Sequence, residues 1–157
     1  MKTVIIYATK YGATKKIAEK IAGLFNNAVL HDINSNNAVC IKDYDCVILG
    51  SPLTAGMVNG KIKKFAAEQI GDLKSKKSGI FLSGLQTDGE TEYFKQNFSQ
   101  VLLDSVTAKA FLGGIFDPEK CGFFARKIIK AAAKFDSYTN TIDEAKINEF
   151  VHRVTEN

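Results

Sequence analysis

Short apolar runs rich in β-forming residues alternate along the chain with segments of helical spacing. That alternation is the pattern of an α/β domain, a parallel sheet covered by helices on both faces. Thr3-Val4-Ile5-Ile6-Tyr7-Ala8 reads as a strand with both faces buried. Ala13 to Phe25 follows, with Ile17, Ile21, Leu24 and Phe25 at the spacing of one helix face. A weak strand near Ala28 to His31 precedes a third, Cys46-Val47-Ile48-Leu49-Gly50. Gly60 to Ile70 is predicted as a helix turning Ile62, Phe65, Ala66 and Ile70 inward, and Gly79 to Ser83 as the fourth strand. Glu90 to Leu103 reads as the next helix, and Ser105 to Phe116 contains the fifth strand, ended by Gly113-Gly114. Two helices close the pattern. One runs from about Pro118, a residue suited to a first helical turn, to Phe135. The other runs from the capping box Thr141-Ile142-Asp143-Glu144 to Val154. No repeat or Pro/Gly/Ser-rich linker divides the sequence, so residues 1–157 read as a single domain.

Composition narrows the function classes. No stretch approaches the roughly 18 apolar residues of a membrane span, and Met1-Lys2 leads straight into a strand without a signal-peptide pattern. The expected location is the cytoplasm. Cys40, Cys46 and Cys121 are odd in number and form no Cys-x-x-Cys pair, so structural, largely buried thiols are expected rather than disulfides or a metal site. The net charge of +4 suits acidic proteins, anionic cofactors or an anionic lipid surface. Nucleic acid is not an expected partner, because the lysines are dispersed and not interleaved with stacking aromatics.

The strongest chemical signal lies where the first strand meets the first helix, at Thr9-Lys10-Tyr11-Gly12-Ala13-Thr14. Ligands of doubly wound sheets bind at the carboxyl ends of the strands. A phosphate there can accept hydrogen bonds from free backbone amides and the Thr9 and Thr14 hydroxyls, while the helix dipole favours its charge. Gly12 lets the backbone come close or take a positive φ. The same residues also suit a plain helix cap and a turn. Other nucleotide loops fit worse, since neither Gly-x-x-x-x-Gly-Lys-Ser/Thr nor Gly-x-Gly-x-x-Gly occurs. His31 and His152 are far apart in sequence, and no Gly-x-Ser-x-Gly elbow is present, so no catalytic residue is assigned.

The run Ile5 to Thr14, followed by Ala18 and Ile21, resembles the flavodoxin signature, and chain length and element order resemble a short-chain flavodoxin throughout. The resemblance implies a flavodoxin-like three-layer sandwich, a five-stranded parallel sheet in the order 2-1-3-4-5, and flavin mononucleotide (FMN) with its phosphate held by Thr9 to Thr14. It implies too that the loops after the third and fourth strands grip the isoalloxazine ring. The first is Ser51-Pro52-Leu53-Thr54-Ala55-Gly56, followed by Met57; Gly56 takes the position whose peptide can turn its carbonyl toward flavin N5. The second is Ser83-Gly84-Leu85-Gln86, followed by Thr87-Asp88, with amides for the pyrimidine edge. Either stretch also suits an ordinary turn or a helix cap.

Family members usually sandwich the ring with Trp or Tyr and are acidic, whereas this chain has no Trp and is basic. Leu53, Thr54 and Met57 are left to line one face; Tyr93 either stacks from the other loop or, at its helical spacing with Phe94 and Asn97, is a surface or core tyrosine. Gly50-Ser51-Pro52-Leu53 and Gly113-Gly114-Ile115-Phe116-Asp117-Pro118 are similar to flavodoxin-domain proteins related to menaquinone-dependent protoporphyrinogen oxidase. The readings are therefore an electron carrier working with a redox partner protein, an FMN enzyme passing electrons from a small redox substrate to a quinone, and an interaction domain without flavin. On the helix after Pro118, Cys121, Phe124, Ala125, Ile128, Ala132 and Phe135 share a broad face opposite Arg126, Lys127, Lys130 and Lys134. Phe123 falls on the basic side. It either meets an anionic membrane or acidic partner or tucks beneath Gly113-Gly114.

Overall fold

The computed structural model describes residues 1–35, 38–85, 89–123, 126–127, 130–131 and 137–156. Five parallel strands form the central sheet: β1 (Thr3–Tyr7), β2 (Ala28–Asp32), β3 (Cys46–Thr54), β5 (Lys77–Ser83) and β6 (Ala108–Phe111). They lie in the order β2-β1-β3-β5-β6. Counting the parallel strands alone, this is the expected 2-1-3-4-5. A short strand, β4 (Met57–Val58), pairs antiparallel with the end of β3.

The uninterrupted apolar strands divide their side chains between two cores, because successive residues point to opposite faces. Val4, Ile6, Val47, Leu49, Ile80 and Leu82 face one core. It is closed by the helices α2 (Gly60–Glu68), α3 (Ile70–Lys74), α4 (Glu90–Asn97) and α5 (Gln100–Ser105) through Ile62, Leu73, Phe94 and Leu102. Ile5, Tyr7, Ile48 and Phe81 face the other, under α1 (Ala13–Ala22) and the last helix, α6 (Glu144–Glu156), which contribute Ile17, Ile21, Phe150 and Val154. The sheet thus has helices on both faces, as the alternation of elements predicts.

Two glycines let aromatic rings lie against the strands. Gly50 is the cross-strand partner of Phe81, and a Cβ on Gly50 would stand 2.2 Å from the tip of that ring. A Cβ on Gly79 would stand 2.7 Å from the ring of Phe150, which meets Phe81 edge-on with centroids 6.3 Å apart.

Several boundaries differ from the sequence reading, each for a local reason. The first helix ends at Ala22 because the chain turns at Gly23, leaving Leu24 exposed. The helix expected over 60–70 is two short ones separated at Gln69. The one expected over 90–103 breaks at Phe98, whose backbone is extended, and restarts where the Ser99 hydroxyl accepts the Leu102 N–H. Pro118 opens no helix: Pro118–Lys120 form a turn, with the Asp117 carboxylate accepting the Glu119 N–H, and described helical residues begin at Phe123. Phe124, Ala125, Ile128, Ala132, Lys134 and Phe135 lie outside the described residues. Phe123 does not tuck under the glycines; it is 66% exposed.

Thr141 does not cap the last helix. Asp143 does, through the Lys146 N–H, while the Thr141 hydroxyl bonds the Gly114 backbone. A second two-stranded sheet, β7 (Ile115–Phe116) with β8 (Thr139–Asn140), was not expected, since two-residue strands carry no periodicity. No helix among the described residues is long and apolar enough to cross a membrane.

Cys46 and Cys121 are buried as expected, but Cys40 is exposed. Burial pushes the Cys46 thiol up to about 11, and it raises Cys121 as well. Because the thiolate is the reactive form, a disulfide reagent at pH 8 is expected to modify Cys40 first and Cys46 roughly a hundredfold or more slowly until the protein unfolds. Mass spectrometry of the labelled peptides checks the order. Gly50→Ala is expected to cost about 1–3 kcal/mol, since the Phe81 ring must move within a filled core. The midpoint of urea unfolding measures it.

Candidate functional site

Three connections meet at the carboxyl edge of the sheet, after β1, β3 and β5. The register places them together: Tyr7 lies opposite Gly50, and Pro52 opposite Ser83. The Ala8 N–H continues the β1–β3 pairing onto the Gly50 carbonyl at 3.0 Å.

In the first connection Thr9 is partly buried, and Lys10 and Tyr11 are exposed. The Lys10 ammonium lies 5.1 Å from the centre of the Tyr11 ring. Gly12 has φ +93°, and nothing lies within 4 Å of where its Cβ would be. Backbone conformation, not space, therefore calls for glycine. The Gly12 N–H donates to the Thr9 hydroxyl at 3.0 Å, folding the loop over the start of α1. Ala13 is partly buried, while Thr14 is 1% exposed and its hydroxyl lies 2.7 Å from that of Ser83. This bond joins the first and third connections.

The start of α1 is unlike the starts of α2, α5 and α6. Those are capped by the side chains of Asn59, Ser99 and Asp143; α1 and α4 instead start without a side-chain cap behind a glycine of positive φ, and where α4 carries Glu90 and Glu92 in its first turn, α1 has no acidic residue. The first amides of a helix have no intrahelical acceptor, and the dipole makes that end attractive to an anion.

The second connection is not the free loop the sequence suggested. β3 runs on through Ser51, Pro52, Leu53 and Thr54, then turns back at Ala55-Gly56 into β4, with Leu53 opposite Val58 and Thr54 opposite Met57. Both central residues have positive φ, +49° at Ala55 and +78° at Gly56. That sign pattern belongs to tight hairpins that match the twist of their strands. Ser51 is buried, and its hydroxyl accepts the Asn59 N–H at 2.8 Å, tying the hairpin to the start of α2. Thr54 and Ala55 are exposed, and Met57 is largely so.

The third connection holds Ser83, buried, and Gly84 and Leu85, partly buried; Gln86, Thr87 and Asp88 lie outside the described residues. The Gly84 N–H donates to the Gly113 carbonyl at 3.0 Å, and a Cβ on Gly114 would stand 2.8 Å from the Gly84 backbone. The Gly113-Gly114 turn thus backs this connection. Across the edge, Leu53 lies 3.7 Å from a would-be Cβ of Gly84, joining the second connection to the third.

Two residues on α4 enter this edge: Tyr93, for which the sequence left stacking as the lesser reading, and Asn97, which it did not place there. The Tyr93 ring lies 3.8 Å from a would-be Cβ of Gly56. Asn97, 1% exposed, holds the hairpin by accepting the Val58 N–H and donating to the Gly56 carbonyl. The available signal was a lone amide between Phe94 and Phe98 on the buried side of a helix. His31 stands in β2, and His152 pairs with Glu156 on α6. Among the described residues no group of three His, Cys, Asp or Glu is placed to hold a metal ion.

Solved structures share this architecture. Oxidised flavodoxin 1 of Bacillus cereus is 18% identical, with 100% of this chain and 99% of that one covered at a TM-score of 0.58. A short-chain flavodoxin associated with a PDU bacterial microcompartment is 15% identical, with 99% and 97% covered at 0.60. A flavoprotein of Lactobacillus acidophilus solved in complex with FMN is 19% identical, with 70% and 92% covered at 0.57. At these identities the likeness concerns the fold. No curated protein matches the sequence. A family model described as "Flavodoxin domain" matches residues 4–143, from β1 to the residue before α6, and the chain belongs to that family.

Proposed function

We propose that the chain binds FMN non-covalently at the carboxyl edge of its sheet and serves as an electron carrier for a redox partner protein. The observation that carries this reading is the start of α1: an uncapped helix end behind a glycine of positive φ, with a buried threonine hydroxyl in its first turn. Its donor set suits a phosphate. FMN bound there would take up one or two electrons, gain a proton at ring nitrogen N5, and pass the electrons on.

The residues have separable roles in this reading. Thr9, Gly12, Ala13 and Thr14 present hydroxyls and amides to the phosphate, with Lys10 and Tyr11 flanking the entrance. Ser83 orients the Thr14 hydroxyl, as their 2.7 Å separation allows. The Ser51–Gly56 hairpin and the connection after Ser83 would hold the ring, with Leu53, which reaches toward Gly84, in its lining. Tyr93, beside Gly56, supplies the aromatic surface that the hairpin itself lacks. Both cores share one sheet, so we read residues 1–157 as one domain, working in the cytoplasm.

The oxidase-like alternative, with a small substrate and a quinone acceptor, rests on the strings around Gly50 and Gly113-Gly114. Packing accounts for those glycines: Gly50 lies beneath Phe81, and Gly113-Gly114 lies against Thr141 and Gly84. The carrier reading is therefore preferred. For the partner surface, exposed Phe123 has the Lys127 ammonium 4.8 Å from its ring centre and Arg126 and Lys130 exposed nearby in sequence. An aromatic among cations suits an anionic membrane surface or an acidic protein.

The first test is colour: purified protein is expected to be yellow and to release FMN on denaturation, and a colourless protein that takes up no added FMN would leave only an interaction domain. Thr14→Val is expected to weaken FMN by roughly 1.5–3 kcal/mol, about 10- to 150-fold, because a hydrogen bond to a charged group is lost. Riboflavin, which lacks the phosphate, should lose much less, and fluorescence titration of both ligands checks the difference. Equal losses would move the phosphate elsewhere. For the basic surface, Phe123→Ser with Lys130→Glu is expected to weaken sedimentation with anionic vesicles about tenfold, at about 1 kcal/mol per basic residue. If the wild-type protein does not bind them at low salt, the membrane version fails and an acidic protein remains.

A further inference from the structure

One buried amide is hydrogen-bonded to the turn of the β3–β4 hairpin. Asn97 Oδ1 accepts the Val58 N–H at 3.0 Å, and its Nδ2 donates to the carbonyls of Gly56 and Tyr93, each at 2.8 Å. Two carbonyls need donors and one N–H needs an acceptor, which fixes which way the amide points. A carboxylate supplies the acceptor without the donors, and an apolar side chain supplies neither. The Tyr93 bond lies one turn back along α4, so the clamp is anchored to the helix that carries it.

What Asn97 grips is a turn under strain. Ala55 sits at φ +49°, a region that L side chains rarely adopt, and Gly56 follows at +78°. The same turn lies against Tyr93 and, through Leu53, against the connection after β5. Movement of the peptide after Gly56 would therefore alter the edge where the flavin reading puts the ring.

We propose that Asn97 is a positioning residue that holds the Gly56 carbonyl in one orientation and so sets how readily this chain stabilises flavin after one electron. The proposal rests on the FMN reading above. Turning the Gly56 carbonyl from its present orientation toward the proton gained on reduction would break its hydrogen bond from Asn97, leaving that buried N–H without its partner. The clamp thus opposes that rearrangement. Removing the donor releases the carbonyl.

The experiment compares wild type, Asn97→Ala and Asn97→Asp as full chains, with Phe98→Leu as a control that loosens the core shared with Val58 while leaving the Asn97 amide in place. Spectroelectrochemistry of the FMN-loaded proteins gives the two one-electron potentials, and amide exchange of the FMN-free proteins reports Val58. Both Asn97 variants are expected to raise the first potential relative to the second by about 59 mV, a tenfold change for one electron. In Asn97→Ala the Val58 amide should also exchange about tenfold faster. Phe98→Leu should leave the separation of potentials in place. Unchanged separation in both Asn97 variants, or an equal shift in Phe98→Leu, would make Asn97 a structural residue only and overturn the proposal. A wild-type chain that takes up no FMN would instead overturn the flavin reading, and the proposal with it.

Discussion

The parallel register of β1 on β3 and of β3 on β5 is the constraint on which the rest of the molecule depends. A one-residue slip in a sheet buried on both faces would send every side chain to the wrong core. Here it would also remove Gly50 from beneath Phe81 and separate Pro52 from Ser83. The same register brings the three connections to one edge. Packing therefore decides where the candidate site lies, and the site inherits its position from interactions that have no direct part in binding.

Within that edge the forces change character. The cores are held by apolar packing, whereas the connections are shaped and braced mainly by hydrogen bonds: Gly12 to Thr9, Thr14 to Ser83, Gly84 to Gly113, and Asn97 to the hairpin. Positive φ recurs along this part of the chain, at Gly12, Ala55, Gly56 and Gly113. These conformations persist because the sheet and helices over-determine them. A rigid base carrying a strained, hydrogen-bonded rim suits holding a cofactor while leaving particular peptides able to respond to it.

The fold was largely visible in the sequence because strands buried on both faces are continuous apolar runs, and α1 has clear periodicity at Ile17 and Ile21. The interruptions at Gln69 and Phe98 were hidden, since apolar spacing continues across them. Where the signal rested on short-range chemistry, it was legible: Gly12 takes the positive φ that glycine permits, and Thr14 stands in the first turn of α1. Where it depended on long-range partners, it failed. Thr141 looked like a cap because the sequence does not show that Gly114 competes for its hydroxyl. The stretch from Ser51 to Gly56 looked like a loop because its pairing with a two-residue strand has no periodic trace. Asn97 lies 41 positions from the Gly56 carbonyl it holds, and only the topology brings the two together.

The central claim is that one flavin site is built from three separate connections, and amide NMR during an FMN titration tests it most directly. The account predicts saturable shifts in residues 9–14, 51–58 and 83–85 with a common midpoint. It predicts none around Lys42–Asp45 and Lys76–Lys77, which line a depression elsewhere on the surface. Shifts centred on that depression, or on only one of the three connections, would contradict it.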